Sequence, residues 1–215
     1  MLFASLLIVS CGETKNEVDL FNTFISENTV SSESVFYFDH FEDGENSFWI
    51  KGFTGIDKYA KTSIQNSNYL IESFSDYYHW HDIKYNQDND FRIEFKISSI
   101  YFSESNKYFG ILYNCNSSYY GVRLYLKKED ANNLYTYMVY NADTKEVLYK
   151  QNGQTLQFPV IMSFTKIGER MSYKINRRII FQNTFSKRTS TIGYSISEGV
   201  TASIDYIKLT YINQN

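Results

Sequence analysis

Apolar and polar residues alternate with a period of two through most of this chain. The clearest stretch is Phe91-Arg92-Ile93-Glu94-Phe95-Lys96-Ile97, where four apolar side chains fall on one face of an extended strand and three charged ones on the other. The same period returns at residues 108–113, 119–126 and 134–140. Further β-like runs occupy 35–41, 59–64, 69–74, 77–83, 147–150, 160–165, 171–176, 179–181, 191–196 and 202–211, separated by clusters of Asn, Asp, Gly and Ser. These make about a dozen strands at hairpin spacing. No ten-residue stretch of this region carries a helical stripe, and parallel sheets need long, usually helical crossovers. The pattern therefore predicts an all-β domain over 35–213, a two-sheet antiparallel β-sandwich with Greek-key connections.

Composition agrees. The 215 residues include 20 Tyr and 17 Phe but one Pro, the make-up of pleated, half-buried surfaces. The length suits one domain with one core. A formal charge of −3 with mixed signs provides no basic field for phosphate backbones, so nucleic acid is not an expected partner.

The N-terminus is different. Leu2-Phe3-Ala4-Ser5-Leu6-Leu7-Ile8-Val9-Ser10 is apolar but too short to span a bilayer, and polar sequence follows at once. Residues 1–10 read as a signal peptide, although no Lys or Arg precedes the apolar run. Ile8-Val9-Ser10-Cys11 resembles the lipobox of bacterial lipoproteins. That resemblance implies that Cys11 is lipidated and becomes the first mature residue, anchoring an outer-membrane lipoprotein of the cell envelope on its periplasmic or outer surface. Several acyl chains would hold the domain far better than one, at about 0.8 kcal/mol per buried CH₂. Residues 11–34 form a polar spacer in which Val18, Leu20, Phe21, Phe24 and Ile25 fall at helical spacing and predict a short helix. The acidic residues after Cys11 resemble the surface-export tethers of Bacteroidetes-type lipoproteins. Cys115, the second cysteine, reads as an inert free thiol.

Several strands resemble a known family. Phe38-Asp39-His40-Phe41 with Trp49 soon after, Asn68-Tyr69-Leu70-Ile71 and Asp90-Phe91-Arg92-Ile93-Glu94 are similar to the opening strands of concanavalin A-like (laminin G-like) jelly-roll domains of bacterial lipoproteins. Tyr108 to Tyr113, Tyr119 to Leu124, Tyr173-Lys174-Ile175-Asn176-Arg177, Ile192-Gly193-Tyr194 and Ala202 to Ile207 resemble its later strands. Arg177 stands where that family usually has the Gly of an Asn-Gly turn, a site that favours positive φ. The resemblance implies a jelly roll and, by analogy of fold, a glycan ligand.

Enzymatic chemistry finds little support in the residues. The Glu-x-Asp-x-x-Glu motif of glucanases on this fold is absent, as is Gly-x-Ser-x-Gly. Retaining glycoside hydrolysis needs two carboxyl groups about 5–5.5 Å apart, yet Glu94 is the one acid on its strand, and Glu42 and Asp43 are adjacent turn residues. A glycosidase would need carboxylates from separate strands, and no enzyme is expected. His79 and His81 share a strand face at a spacing that suits a metal, but only His40 remains as another histidine and no third ligand is placed beside them, so neither metal nor cofactor is expected. Aromatic residues remain. Sugars stack on Tyr and Trp while polar groups bond their hydroxyls, which makes Tyr78, Trp80, Tyr120, Arg123 and Tyr125 the candidate ligand-binding residues. Cross-strand packing is the competing explanation for the same aromatics. The expected function is a membrane-anchored, non-catalytic domain that binds carbohydrate, with a protein-interaction module of the envelope as the alternative.

Overall fold

The computed structural model describes residues 32–42, 55–56, 58–113, 121–129, 134–186 and 191–213. Cys11, the spacer to residue 31, Trp49, Cys115 and Tyr120 lie outside them. The described residues hold fifteen strands and no helix. In chain order they are β1 (Ser32–Asp39), β2 (Gly55–Ile56), β3 (Ala60–Gln65), β4 (Asn68–Ser73), β5 (Tyr77–Asp82), β6 (Phe91–Phe102), β7 (Tyr108–Tyr113) and β8 (Val122–Lys128). Then follow β9 (Leu134–Asn141), β10 (Glu146–Thr155), β11 (Val160–Ile167), β12 (Arg170–Ile175), β13 (Arg178–Thr184), β14 (Thr191–Ile196) and β15 (Val200–Asn213).

Two antiparallel sheets form the sandwich. The nine-stranded sheet has the order β13-β12-β11-β6-β15-β4-β3-β2, and the six-stranded sheet the order β10-β9-β8-β7-β14-β5. The long β15 organises the larger one: Thr201 to Ile204 pair with β4, residues further along pair with β1, and β6 lies on the other side. Sequence neighbours that part to opposite sheets, such as β5 and β6, make the jelly-roll crossovers that the sequence pattern predicts.

Alternation becomes burial directly. Phe91, Ile93, Phe95 and Ile97 of β6 are fully buried, each contributing about 2 kcal/mol by burial. They face Phe109 and Ile111 of β7, Leu124 and Leu126 of β8, and Ile192, Tyr194 and Ile196 of β14 in one continuous core. A polar link crosses that core, where the buried hydroxyls of Tyr69 on β4 and Tyr194 on β14 lie 3.2 Å apart.

Some elements depart from the expected boundaries. β10 runs far beyond the predicted 147–150, because it is an end strand with two register shifts and buries few side chains, so alternation fades along it. β1 begins at Ser32, ahead of the predicted residue 35, and the two-residue β2 has no counterpart in the pattern. The hairpin at Asn176-Arg177 keeps the two positive φ angles of a tight turn, 49° and 69°, although Arg holds the usual Gly place. Asn176 secures it, its backbone N–H donating to the Ile161 carbonyl and its side-chain oxygen accepting the Ile161 N–H.

Candidate functional site

Register fixes which side chains share the outer face of the six-stranded sheet. One row across it reads Tyr78, Ser195, Gly110, Tyr125, Met138 and Lys150, following the partners of β5, β14, β7, β8, β9 and β10. The next reads Trp80, Gly193, Leu112, Arg123, Tyr140 and Val147. Four of the five residues expected to bind a ligand, Tyr78, Trp80, Arg123 and Tyr125, therefore sit together on one face. Tyr120 is outside the described residues.

Arg123 organises this face. Its guanidinium lies 4.6 Å from the centre of the Tyr78 ring and 5.8 Å from that of Tyr140, within the range of cation–π attraction. One terminal nitrogen donates to the Tyr78 hydroxyl at 3.1 Å and to the Tyr125 hydroxyl at 2.9 Å. Tyr108 completes the group, its hydroxyl 3.4 Å from that of Tyr78 and its ring edge-on to Tyr125 with centroids 4.7 Å apart. Both strands of the Arg123 contact are needed: β8 supplies Arg123 and Tyr125 two residues apart, and β5 brings Tyr78 from across β7 and β14.

Small residues let the large ones lie flat. A Cβ on Gly110 would come within 2.3 Å of the Tyr125 ring. A Cβ on Gly193 would come within 2.0 Å of the His79 carbonyl and 2.8 Å of the Trp80 Cα, so only glycine permits that approach of β14 to β5.

The cluster is largely desolvated. Arg123 is 7% exposed and Tyr125 4%, whereas Trp80, at the end strand, is 37% exposed. Burial pulls the Arg123 guanidinium down, and the oxygens of Tyr125 and Tyr78 reverse this, leaving it above its ordinary value. Burial raises the Tyr125 phenol, with Arg123 opposing. Tyr108 is raised by burial and then by Tyr78. The result is a fixed cation and several neutral phenols. Among the described strand residues of this sheet, Asp82 is the one carboxylate on the outer face.

His79 and His81 share one face of β5, as their spacing predicts, and it is the inward one, in register with Tyr194 and Ile192. Their Nε2 atoms are 2.8 Å apart, and the His79 ring packs 5.4 Å from that of Tyr194. Burial, and then His81, lower the His79 imidazole to about 3. Among the described residues no three His, Cys, Asp or Glu side chains converge. A cavity of about 70 Å³ lies between the sheets beside Tyr113, Asp143, Tyr173 and Asn183.

Sequence reasoning missed Tyr108, Tyr140, Gly110, Gly193 and Ser195. Spacing within a strand pairs Arg123 with Tyr125, but these other residues join the face only through cross-strand register, which the turn lengths and bulges decide.

No protein-family model matches the chain, and no curated protein matches it in sequence. Solved structures do. A protein of unknown function with a galectin-like fold from Bacillus subtilis superposes with a TM-score of 0.60 at 11% identity, over 86% of this chain and 100% of that one. The catalytic domain of an endo-1,3-β-glucanase (laminarinase) from Thermotoga petrophila RKU-1 gives 0.53 at 11% identity, over 84% and 98%. The CBM2 module of the evolved Dit of Lactobacillus casei BL23 phage J-1 gives 0.51 at 10% identity, over 86% and 98%. At such identities the likeness is one of fold, and it is consistent across all three. The chain carries a jelly-roll domain of the galectin-like and concanavalin A-like type.

Proposed function

We propose that this protein is a non-catalytic carbohydrate-binding domain, held at a membrane by a lipid on Cys11, and that it takes its glycan on the outer face of the six-stranded sheet. The observation that carries this reading is the joining of Trp80, Tyr78, Tyr108, Arg123 and Tyr125 on one face. There, Trp80, Tyr78 and Tyr108 offer aromatic surface on which sugar rings can stack, and the buried Arg123 and Tyr125 hold Tyr78 in place. Similar structures that include a CBM2 module support it, as does a potassium-bound carbohydrate recognition domain, that of Emp46p. A laminarinase also shares the fold. Asp82 is the one carboxylate among the described strand residues of that face, whereas retaining hydrolysis uses an acidic pair.

Glycan-array screening of the full chain, followed by calorimetry on the best ligand, tests the reading. Trp80→Ala should weaken binding tenfold or more, as loss of a stacking platform of about 1.4 kcal/mol or above requires. A chain that binds no glycan on the array contradicts the reading.

A second reading has its own observation. On β1, Val35, Phe36 and Phe38 are 56%, 48% and 50% exposed, an apolar strip on the nine-stranded sheet that suits a protein partner.

A further inference from the structure

The geometry points to a two-histidine site for a divalent late transition-metal ion on the inward side of β5, formed by the Nε2 atoms of His79 and His81. The two nitrogens, two residues apart on one strand, approach to 2.8 Å, with the imidazole planes 78° to each other and ring centroids 4.6 Å apart. An ion bound at about 2.0–2.1 Å from each would subtend an N–metal–N angle of about 85–90°. That is the angle between neighbouring ligands in tetragonal copper(II) or octahedral nickel(II) sites, whereas a tetrahedral site needs nitrogens about 3.3 Å apart. Copper(II) and nickel(II) are therefore favoured over zinc.

The surroundings suit such a site. Tyr77 places its hydroxyl 3.5 Å from His79 Nδ1, on the far side of the ring from the proposed ion, where an outer partner orients a ligating imidazole. Tyr77 and Tyr194 flank the His79 ring with centroids 6.3 and 5.4 Å away. Among the described residues β5 is the end strand of the six-stranded sheet, which puts the pair at a sheet edge. A direct imidazole–imidazole hydrogen bond has the same separation, and it predicts no saturable metal binding.

Trp80 stands between the two histidines on the opposite face and serves as reporter. In a Trp49→Phe background it is the remaining tryptophan. With any free cysteine alkylated to remove competing thiolates, copper(II) chloride is titrated into the full chain, reading Trp80 fluorescence and electron paramagnetic resonance. The expected result is saturable one-to-one quenching with a tetragonal signal from two nitrogens. His81→Asn should weaken it about tenfold or more, and His40→Asn should leave it unchanged. Circular dichroism and the unfolding midpoint of His81→Asn show that the fold persists; His81 is the one substituted because the His79 ring packs against Tyr194. Quenching that does not saturate, or a folded His81→Asn that binds as tightly as the parent, overturns the site. Glycan binding is a separate readout, so either proposal can fail alone.

Discussion

On the outer face of the nine-stranded sheet, Arg92, Glu94 and Lys96 of β6 alternate in sign, and their neighbours continue the pattern. Lys208 and Lys174 sit in the Glu94 row, Arg92 pairs with Glu33 at 3.0 Å, and Lys96 pairs with Asp205 at 2.6 Å. The outer face of the six-stranded sheet has the same pleat and a different filling: Arg123 lies among Tyr78, Tyr125, Tyr108 and Tyr140, with one carboxylate at its margin. The first is a solvated surface whose charges neutralise one another pair by pair. In the second a cation is held by aromatic rings and phenols, a construction whose stability depends on packing. The difference separates a face built on exposed ion pairs from the aromatic face on which the proposal places the ligand.

High pH should destabilise the fold through buried phenols on both sheets. Burial raises the phenols of Tyr108 and Tyr125, and in the core those of Tyr85 and Tyr173. An unfolded chain ionises these near pH 10 while the folded one retains their protons. Their contribution to stability is thus complete below pH 10 and lost as pH rises above it, at up to about 1.4 kcal/mol per pH unit for each tyrosine. Absorbance at 295 nm should show a late ionisation step that coincides with loss of circular dichroism. Tyr125→Phe should move it to higher pH. If Tyr108 and Tyr125 titrate as free phenols in the folded protein, the face is open to water and the contrast between the sheets collapses.

Gly193→Ala comes next, because its Cβ would meet backbone atoms of β5. Overpacking against backbone should cost about 3 kcal/mol and loosen the edge that carries Trp80. Urea unfolding measures the first, and amide exchange at Trp80 the second.

The same substitution on both faces gives the smallest but sharpest contrast. Arg123→Met should cost about 2 kcal/mol, since it removes two hydrogen bonds from a charged donor. Arg92→Met should cost under about 1 kcal/mol, because its pair with Glu33 is partly solvated on both sides. Equal costs in urea unfolding would show that the two arginines do the same job.

Much of the sandwich was legible from period-two alternation, most plainly in β6, where every apolar position of Phe91 to Ile97 is buried. Legibility fails where a strand buries little, as in β10, or is too short to alternate, as in β2. Arg123 and Tyr125 declared their common face by spacing alone. Tyr108 and Tyr140 did not, because their meeting with Arg123 and Tyr125 depends on pairing between neighbouring strands, each across 17 residues of chain. The glycines beneath the aromatic side chains look like ordinary strand breaks in the sequence, and their purpose shows only when the neighbouring ring is in place.

The central claim, that ligand is taken on the six-stranded face, is tested most directly by hydroxyl-radical footprinting of the full chain with and without a glycan identified on the array. Both faces carry reporters in the same sample: Trp80, Tyr78 and Tyr108 on one, Phe36, Phe38 and the 68% exposed Tyr101 on the other. Protection confined to Trp80, Tyr78 and Tyr108 is the predicted result. Protection at Phe36, Phe38 or Tyr101 with Trp80 unchanged would contradict it.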